Sequence, residues 1–247
     1  TGEYTDGDAS KVTVKPGASI LMGMTINNQY KAGKSATFGE ASSELIGSHM
    51  AKNSEWGAVA YLSQSSYGLN GKEIERNSEV CITGGSSTKA TIYTTNAEQS
   101  TTGNAYGVYD MSGGAYERTA NYVDYGSRSS YLSTNGGTSQ GDLYGADTTE
   151  QSTSTKYKTV YKASEISSSS SYNLAAGKKG NGVYETSNSS SSTTGSWFGA
   201  YSYFPDTSYP FFTRGGYCNN RYAGVFYFGG SSGDDGSGNS FRVILAF

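Results

Sequence analysis

FFTRGGYCNNRYAGVFYFGGSSGDDGSGNSFRVILAF forms residues 211–247, and this stretch decides how the rest of the chain is interpreted. An Arg-Gly-Gly turn at Arg214 begins it, and the apolar strand Ser240–Phe247 ends it. Tyr, Asn, Gly, Ser and Asp dominate the part between them. Tyrosine offers a large, rigid contact area at low entropic cost, while Ser, Gly and Asn offer adaptable hydrogen bonds. The composition is typical of a binding surface, and we expect the rest of the chain to be the scaffold that displays it.

The overall composition indicates a loop-rich protein that contains β-structure. Of the 247 residues, 34% are hydrophobic and 16% are charged, and 22 are tyrosines. Disordered chains usually combine low hydrophobicity with high charge, and this chain has little charge. The length suits one large domain or two small ones, and we expect a single domain over residues 1–247.

The net charge and the apolar runs bear on possible partners, and the first residue bears on processing of the chain. A net charge of −3 gives no support for binding to nucleic acid or to an anionic membrane. No apolar run approaches the roughly 20 residues of a membrane span. Because the first residue is Thr1, we expect a processed or trimmed product whose export or anchor segment lies upstream.

The most distinct predicted helix is Ser54–Gly68. Ser54 is a suitable N-cap, Glu55 suits the positive helix start, and Gly68 is a suitable stop. Apolar residues on two faces predict a helix that is buried on most sides. An earlier helix is predicted at Ser42–Lys52, and Gly71–Thr95 is expected to be mostly irregular. Four strands are predicted from alternation and β-branched content: Lys11–Lys15, Ser19–Tyr30, Glu79–Thr83 and Ala90–Tyr93.

Three later segments differ in composition. Thr102–Arg118 is dense in glycine and aromatic residues, which predicts a tightly turned core segment. Residues 127–196 are rich in Ser, Thr and Gly, which favours a long surface insertion over a separate binding subdomain. Trp197–Phe212 is strongly aromatic, which is typical of a core cluster, although exposed rings there would border a binding face.

Three motifs, in order, carry a resemblance to one family. Ser54-Glu-Trp-Gly-Ala-Val-Ala-Tyr-Leu62 is similar to its Glu-Trp helix, and Asn104–Glu117 is similar to its N-x-x-G-L-x-D-M-x-G-N-V-W-E-W motif. Arg214-Gly-Gly and Ser240-Phe-Arg-Val243 are similar to its closing pair. The chain thus resembles the formylglycine-generating-enzyme, or sulfatase-modifying-factor, branch of the C-type lectin fold. The resemblance implies a loop-rich α+β fold with two main helices packed on small antiparallel sheets.

The C-terminal part, residues 211–247, is more similar to the variable proteins of diversity-generating retroelements. The resemblance extends to surface proteins of gut Firmicutes and their phages, some of which have pilin-like N-termini. In such proteins a reverse transcriptase acts on the gene, and mutagenesis at template adenines rewrites codons near its 3′ end. Randomised AAY codons become NNY codons, which cannot encode Lys, Glu, Gln, Met or Trp. None of these five types occurs from Gly215 to Phe241.

The resemblance divides this C-terminal variable region into two sets. The expected ligand-binding positions face solvent and vary: Tyr217, Cys218, Asn219, Asn220, Arg221, Tyr222, Tyr227, Gly229, Gly230, Asp234, Asp235, Ser237 and Asn239. The expected scaffold positions are Gly215, Gly216, Ala223, Gly224, Val225, Phe226, Phe228, Phe241 and Arg242. Arg214 and Arg242 are expected to pin the ends of the loops by buried, charge-assisted hydrogen bonds.

The sequence departs from the catalytic members of the family. Its oxidases use a cysteine pair shortly after the Arg-Gly-Gly motif, and only Cys218 lies there. Cys81 is far upstream, and whether the two pair stays open. The single histidine, His49, cannot build a two-histidine iron site and is expected to be structural or at the surface. Asp234 and Asp235 are adjacent in a glycine-rich loop, which favours a solvated turn over an acid–base pair.

Calcium is the one metal that the resemblance implies. Relatives bind it at the turn equivalent to Ser112–Glu117, through backbone carbonyls and the glutamate, and hard cations prefer such ligands. Here Gly114 replaces the family's Asn and Tyr116 replaces its Trp. The alternative is that Glu117 forms a structural ion pair or caps a turn.

The favoured function is a non-catalytic, hypervariable ligand-binding protein displayed on a cell surface or phage particle. Its expected partner is a protein or glycan on a cell or phage surface. One alternative is an oxidase related to the formylglycine-generating enzymes, and another is a pilin or adhesin subunit without variation. An adjacent reverse-transcriptase gene with a template repeat separates the first from the last.

Overall fold

The computed structural model describes residues 22–35, 47–77, 82–83, 90–91, 97–168, 171–172, 178–187 and 195–245. They form an α+β arrangement with few helices and small sheets. None of the helices in these ranges has the length and apolar character that a membrane crossing requires. The predicted strand Lys11–Lys15 and Cys81 lie outside the described residues.

The described helices are short. The α-helices are α1 (Ile26–Lys34), α2 (Asn53–Gln64), α3 (Ser130–Gly136) and α4 (Thr148–Ser152). Short 3₁₀ turns lie at Ala97–Gln99, Gly126–Arg128, Ala163–Glu165 and Trp197–Gly199.

The strands are short as well, apart from one. They are β1 (His49–Met50), β2 (Ile82–Thr83), β3 (Ala90–Thr91), β4 (Tyr116–Asp124), β5 (Thr159–Lys162), β6 (Ile166–Ser168), β7 (Ser171–Tyr172), β8 (Phe211–Arg214), β9 (Phe228–Ser231), β10 (Asn239–Phe241) and β11 (Val243–Ile244). The predicted final strand is therefore divided at Arg242. The strands predicted at Glu79–Thr83 and Ala90–Tyr93 are confirmed for β2 and β3.

The central sheet has the order β10-β4-β8-β9, with β5 also pairing with β4. The expectation of small antiparallel sheets is only partly correct, because β4 pairs in parallel with both β5 and β10. The pairs β4–β8 and β8–β9 are antiparallel. β1 pairs with β11, which ties the start of the described fold to its end.

The register of the sheet assigns residues to its two faces, because cross-strand partners lie on the same face. The first face carries Arg118, Thr213 and Gly229, which are partners across three strands. Further along this face, Phe211 belongs to the same buried cluster as Ile26 of α1. α1 thus covers one end of the first face, and the other end stays open.

The second face carries Glu117, Arg214 and Phe228, which are also cross-strand partners. It faces α2, whose Trp56 ring centroid lies 5.6 Å from Cζ of Arg214. Trp56 belongs to a second buried cluster that includes Val225 and Phe226, whereas Phe228 belongs to the main cluster together with Phe211 of the first face. The main cluster therefore has members on both faces of the sheet.

Where residues are described, α1 corrects the sequence-based prediction of a strand at Ser19–Tyr30. The Thr25 side chain accepts a hydrogen bond from the backbone N–H of Asn28, which caps the helix. Ile26 and Tyr30 are four residues apart and both are buried, so the apolar residues follow a helical period. The helix predicted at Ser42–Lys52 is also wrong where it is described, since His49–Met50 is β1.

α2 confirms the predicted Glu-Trp helix with different ends and a different burial. It begins at Asn53, and the backbone N–H of Lys52 donates to Oε2 of Glu55 at 2.8 Å, so Ser54 is not the cap. It ends at Gln64, before Gly68. One face is buried, while Leu62 is 57% exposed, so the expected burial on most sides is wrong.

The surface-insertion interpretation of residues 127–196 is wrong for the part that is described. Large residues from this segment are fully buried in the main core, and β5 pairs with β4. They include Leu132, Leu143, Val160, Tyr161, Val183 and Tyr184. Isolated core residues between Ser and Gly runs do not change the average composition, which is why the segment resembles a loop.

The other two segments of unusual composition also differ from expectation. In Thr102–Arg118, burial is confined to Met111–Gly113 and the start of β4, and Tyr106 is 96% exposed, so the core prediction is wrong for the first half. In Trp197–Phe212 both alternatives apply. Phe204 and Phe211 are core, whereas Trp197 is 44% exposed.

The core role of residues 127–196 predicts an asymmetry between two leucines. Leu143→Ala removes a side chain that is 0% exposed and should lower the free energy of unfolding by about 2–4 kcal/mol. Leu62→Ala, at an exposed position of α2, should change it by less than about 1 kcal/mol. Urea denaturation of the two variants measures this difference, and equal losses would contradict the assignment of Leu143 to the core.

Candidate ligand-binding groove

A groove lies on the open end of the first sheet face. Its volume is about 800 Å³. Thr213 of β8 and Gly229 of β9 form part of the lining, together with Tyr116 at the start of β4 and Asn239 of β10. The loop that contains Asp234 borders it. Strands thus supply the base of the groove, and loops supply its borders.

A row of stacked tyrosines dominates the lining. We define the tyrosine row as Tyr203, Tyr201, Tyr227, Tyr116 and Tyr217. Successive ring centroids are 6.1, 5.4, 6.0 and 5.6 Å apart, and three of the four pairs lie within 21–25° of parallel. Such offset stacking is the favoured arrangement of aromatic rings. The first four members line the groove, and Tyr217 continues the row beyond it.

The row is assembled from positions far apart in sequence. Tyr201 and Tyr203 flank Ser202, which forms an isolated bridge with Phe228. The N–H of Tyr203 donates to the carbonyl of Phe228, and the N–H of Phe228 donates to the carbonyl of Tyr201. The chain before β8 is therefore held against the edge of β9, and this contact places both rings beside Tyr227.

Burial favours the neutral form of two hydroxyl groups in the row, those of Tyr201 and Tyr227. It raises the pKa of Tyr201, and it raises the pKa of Tyr227 well above the usual range for tyrosine. A neutral tyrosine hydroxyl both donates and accepts a hydrogen bond. At physiological pH the row thus presents ring surface together with hydrogen-bonding groups of both kinds.

Two adjacent glycines of β9 differ in the space that is left for a side chain. A Cβ atom at Gly229 would lie 3.1 Å from the Tyr227 hydroxyl and 3.4 Å from Oγ1 of Thr213, so a side chain there would enter the groove. A Cβ atom at Gly230 would lie 2.7 Å from the backbone oxygen of Tyr209. Gly230 therefore has no room for a side chain, which opposes the prediction that this position varies.

Asp234 is held in place by a buried arginine. Arg118 is 0% exposed and donates from Nη2 to Oδ1 of Asp234 at 3.1 Å, from Nη1 to its carbonyl at 2.5 Å, and from Nε to Oγ of Ser231. Burial raises the pKa of Asp234, but hydrogen bonds from Ser232 and Gly236 and the charge of Arg118 outweigh it and hold the pKa below its usual range. Asp234 is 57% exposed, as expected for a solvated turn, and it also pairs with Arg118.

The structure brings six of the thirteen expected ligand-binding positions together in the groove lining: Asn220, Tyr227, Gly229, Gly230, Asp234 and Asn239. Tyr227 is only 4% exposed and Gly229 is buried, so neither is solvent-facing as expected. Asn220 also has a local role, since its Oδ1 accepts from the backbone N–H of Tyr222 at 2.9 Å.

The other seven expected positions lie outside the groove lining. Asn219, Arg221, Asp235 and Ser237 are exposed, and Tyr217, Cys218 and Tyr222 are half-buried. The Arg221 guanidinium lies 4.7 Å from the Tyr222 ring centroid. The Cys218 thiol lies 3.9 Å from Oδ1 of Asn219. These side chains form the surface around the turn after β8.

Four groove tyrosines escaped the sequence-based prediction: Tyr116, Tyr201, Tyr203 and Tyr209. All lie before the C-terminal variable region or inside a motif assigned to the scaffold. The strongly aromatic composition of Trp197–Phe212 was a usable signal for three of them. Nothing in the sequence pattern places Tyr116 next to Tyr227.

Arg214 and Arg242 both make charge-assisted hydrogen bonds. Arg214 is 0% exposed and donates to the carbonyls of Asn181 and Gly182 at 3.0 and 3.1 Å, and burial lowers its pKa to about 10. Arg242 donates from Nε to Oε2 of Glu117 at 2.9 Å and from Nη2 to Oε1 at 2.5 Å. The expected pinning by charge-assisted hydrogen bonds is confirmed.

Glu117 therefore forms the structural ion pair that was the alternative to calcium. Burial raises its pKa, and Arg242 opposes that rise. Both carboxylate oxygens accept from the Arg242 guanidinium, so the charge of Glu117 already has a partner. Within the described ranges no group of three His, Cys, Asp or Glu side chains is placed to hold a metal ion. Calcium at this turn stays a prediction from resemblance alone.

His49 is structural, as expected. It is 6% exposed, its Nε2 lies 2.7 Å from Oε1 of Glu55, and its Nδ1 lies 2.9 Å from the carbonyl of Gly47. The hydrogen bond to Glu55 is the main cause that raises the pKa of His49. It thus ties β1 to the first turn of α2.

No protein-family model matches the chain, and comparison with curated proteins and with solved structures gives no match either. The functional argument therefore rests on the groove and its residues.

The Arg118 contact predicts that two adjacent aspartates differ in their effect on stability. Asp234→Ala leaves a fully buried guanidinium without its carboxylate and should lower the free energy of unfolding by about 1–2 kcal/mol, a range reduced because this carboxylate is 57% exposed. Asp235→Ala, at the exposed neighbour, should stay within about 0.5 kcal/mol. Chemical denaturation compares them, and equal effects would contradict an anchoring role for Asp234.

The His49–Glu55 pair predicts a pH-dependent stability. Because the pKa of His49 is raised on folding, the pair's full contribution is present below about pH 6.5 and is lost as pH rises through the folded-state pKa. The difference in unfolding free energy between the native chain and His49→Gln should thus fall by on the order of 1 kcal/mol between pH 6 and 9. His49 is the only histidine, so the difference isolates it. A difference that does not change with pH would contradict the charged pair.

Proposed function

We propose that this chain is a non-catalytic ligand-binding protein, displayed on a cell surface or phage particle, whose contact surface is the tyrosine-lined groove. The observation that carries the proposal is the convergence of four stacked tyrosines and six expected ligand-binding positions on one concave face. Tyrosine, serine, glycine and asparagine are the residue types on which adaptable binding surfaces rely. The groove also has a size typical of ligand sites.

The finer fold assignment is part of this proposal. We assign the chain to the C-type lectin-like fold, in the form found in the formylglycine-generating enzymes. The support is that all three resemblance motifs meet in space. Trp56 of the first motif lies within 6 Å of the guanidinium carbons of Arg214 and Arg242, and Arg242 pairs with Glu117 of the second motif.

The mechanism of the proposed function is display on a fixed frame. Gly230 and Asp234 belong to the frame, because one has no room for a side chain and the other holds Arg118. Exposed positions such as Asn219, Arg221 and Asp235 are free to change without refolding the chain. Variation is therefore expected mainly on the loops around the groove, and the stacked rings remain constant.

Diversification of the gene is tested on the nucleotide sequence that encodes residues 211–247 and its surroundings. We expect a near-copy of this 3′ end nearby, next to a reverse-transcriptase gene, with mismatches confined to template adenines. The mismatches should fall on codons for exposed positions and spare those for Arg214, Gly230 and Arg242. Mismatches spread over all four bases, or the absence of a template, would refute diversification and leave a non-variable adhesin.

A further inference from the structure

The lining of the groove indicates what class of ligand it takes, and this step rests on the proposed function. Besides its tyrosines, the described lining consists of glycine, serine, threonine, asparagine and one aspartate. It includes no aliphatic side chain, no lysine and no arginine. Pockets for apolar side chains or drug-like molecules are lined mainly by hydrophobic residues with few polar groups. This groove instead alternates aromatic rings with hydroxyl and amide groups.

The charge of the lining is balanced. Its one carboxylate, Asp234, is ionised and already paired with the buried guanidinium of Arg118 at 3.1 Å. A ligand with a sulfate or carboxylate group would meet no free cation in this lining, and a cationic ligand would compete with Arg118. The electrostatics thus favour a neutral ligand.

The arrangement of the rings argues against a cage for a quaternary ammonium group. Such cages surround the cation with aromatic faces. In the tyrosine row, Tyr203, Tyr201 and Tyr227 are stacked within 25° of parallel, so the rings follow one another in a line and do not surround a cation. A line of offset rings suits an extended ligand that contacts the parts of the rings that their neighbours leave uncovered.

We infer that the groove binds a neutral oligosaccharide and needs no metal ion to do so. A sugar ring has a face of C–H groups that packs on aromatic rings, whose faces carry partial negative charge. Its hydroxyl groups both donate and accept, which matches the neutral tyrosine hydroxyls and the side chains of Asn239 and Ser232. The groove volume of about 800 Å³ lies high in the range of roughly 300–1,000 Å³ for ligand pockets, so it accommodates more than one sugar ring.

Metal independence follows from the position of Glu117. Its partner across β8 is Arg214, so it lies on the second sheet face, whereas the groove lies on the first. Both of its carboxylate oxygens accept from Arg242. Tyr116 of the turn Ser112–Glu117 lines the groove, whereas the Glu117 carboxylate, the side chain to which the resemblance assigns calcium, lies on the opposite face of the sheet.

The test is titration calorimetry of the full chain with neutral tetrasaccharides and hexasaccharides of glucose, mannose, xylose and N-acetylglucosamine, with and without EDTA. At least one series should bind, and EDTA should leave its affinity unchanged. Tyr201→Ala should weaken binding about tenfold, which corresponds to the loss of one aromatic contact. Tyr209→Ala changes an exposed lining residue and provides a second variant if the first fails to fold.

The matched control is Tyr106→Ala, which removes a tyrosine that is 96% exposed and does not line the groove. It should bind the oligosaccharide like the native chain. Equal losses in Tyr106→Ala and the groove variants would overturn the assignment, as would binding that EDTA abolishes or that only sulfated versions of the sugars show.

A second experiment distinguishes a failure of this inference from a failure of the proposed function. The chain is offered a displayed random-peptide library alongside the sugars. One possible result is that no sugar binds, while selected peptides bind the native chain and not Tyr209→Ala. That result would overturn the inference of an oligosaccharide ligand and would still support the groove as a binding site. If neither sugars nor peptides bind in a manner that depends on Tyr201 or Tyr209, both proposals are wrong.

Discussion

The structure depends on one junction, where the guanidinium groups of Arg214 and Arg242 both lie over the ring of Trp56. The two Cζ atoms are 5.6 and 5.9 Å from the ring centroid, and the indole N–H donates to the carbonyl of Val225 at 2.7 Å. Glu117 completes the junction through its paired bonds with Arg242. Arg214 is 0% exposed and Arg242 is 25% exposed, and a buried cation such as Arg214 without partners would be strongly unfavourable. These contacts therefore specify how α2, β4, β8 and the C-terminal strands meet.

A second network explains why a Ser- and Gly-rich segment belongs to the core. The Tyr161 hydroxyl accepts from the side-chain amides of Asn53 at 3.2 Å and Asn181 at 2.6 Å, and Oδ1 of Asn53 accepts from the hydroxyl of Thr119. Asn121 of β4 accepts from the backbone N–H of Asn53. Polar residues on β4 are thus buried with partners, which is how such groups are tolerated in protein interiors. The same bonds join α2 to Tyr161 and Asn181 of the Ser- and Gly-rich segment 127–196.

How far the sequence predicts this fold depends on which interactions are local. The helix α2 is predictable because its helix-forming signals lie within its own sequence. The roles of Arg214 and Arg242 are predictable because each residue stands in a short, recognisable motif. β4 was missed because Glu117, Arg118 and Asn121 are buried only when distant partners are in place, so its pattern does not alternate. The tyrosine row was missed for the same reason, since Tyr116 and Tyr201 meet Tyr227 only through the sheet register.

The groove therefore has two layers with different requirements. Its stacked rings come from elements that are joined by backbone bonds, such as those between Phe228 and the segment at Tyr201, and its volume depends on the absence of a side chain at Gly229. The exposed loops around it carry side chains such as Asn219 and Asp235, which the frame does not need. Under the proposed function, a change on the loops would alter which ligand is preferred, whereas a change in the rings would alter whether the surface binds at all. Such a separation would allow the site to vary while its fold and its class of ligand stay constant.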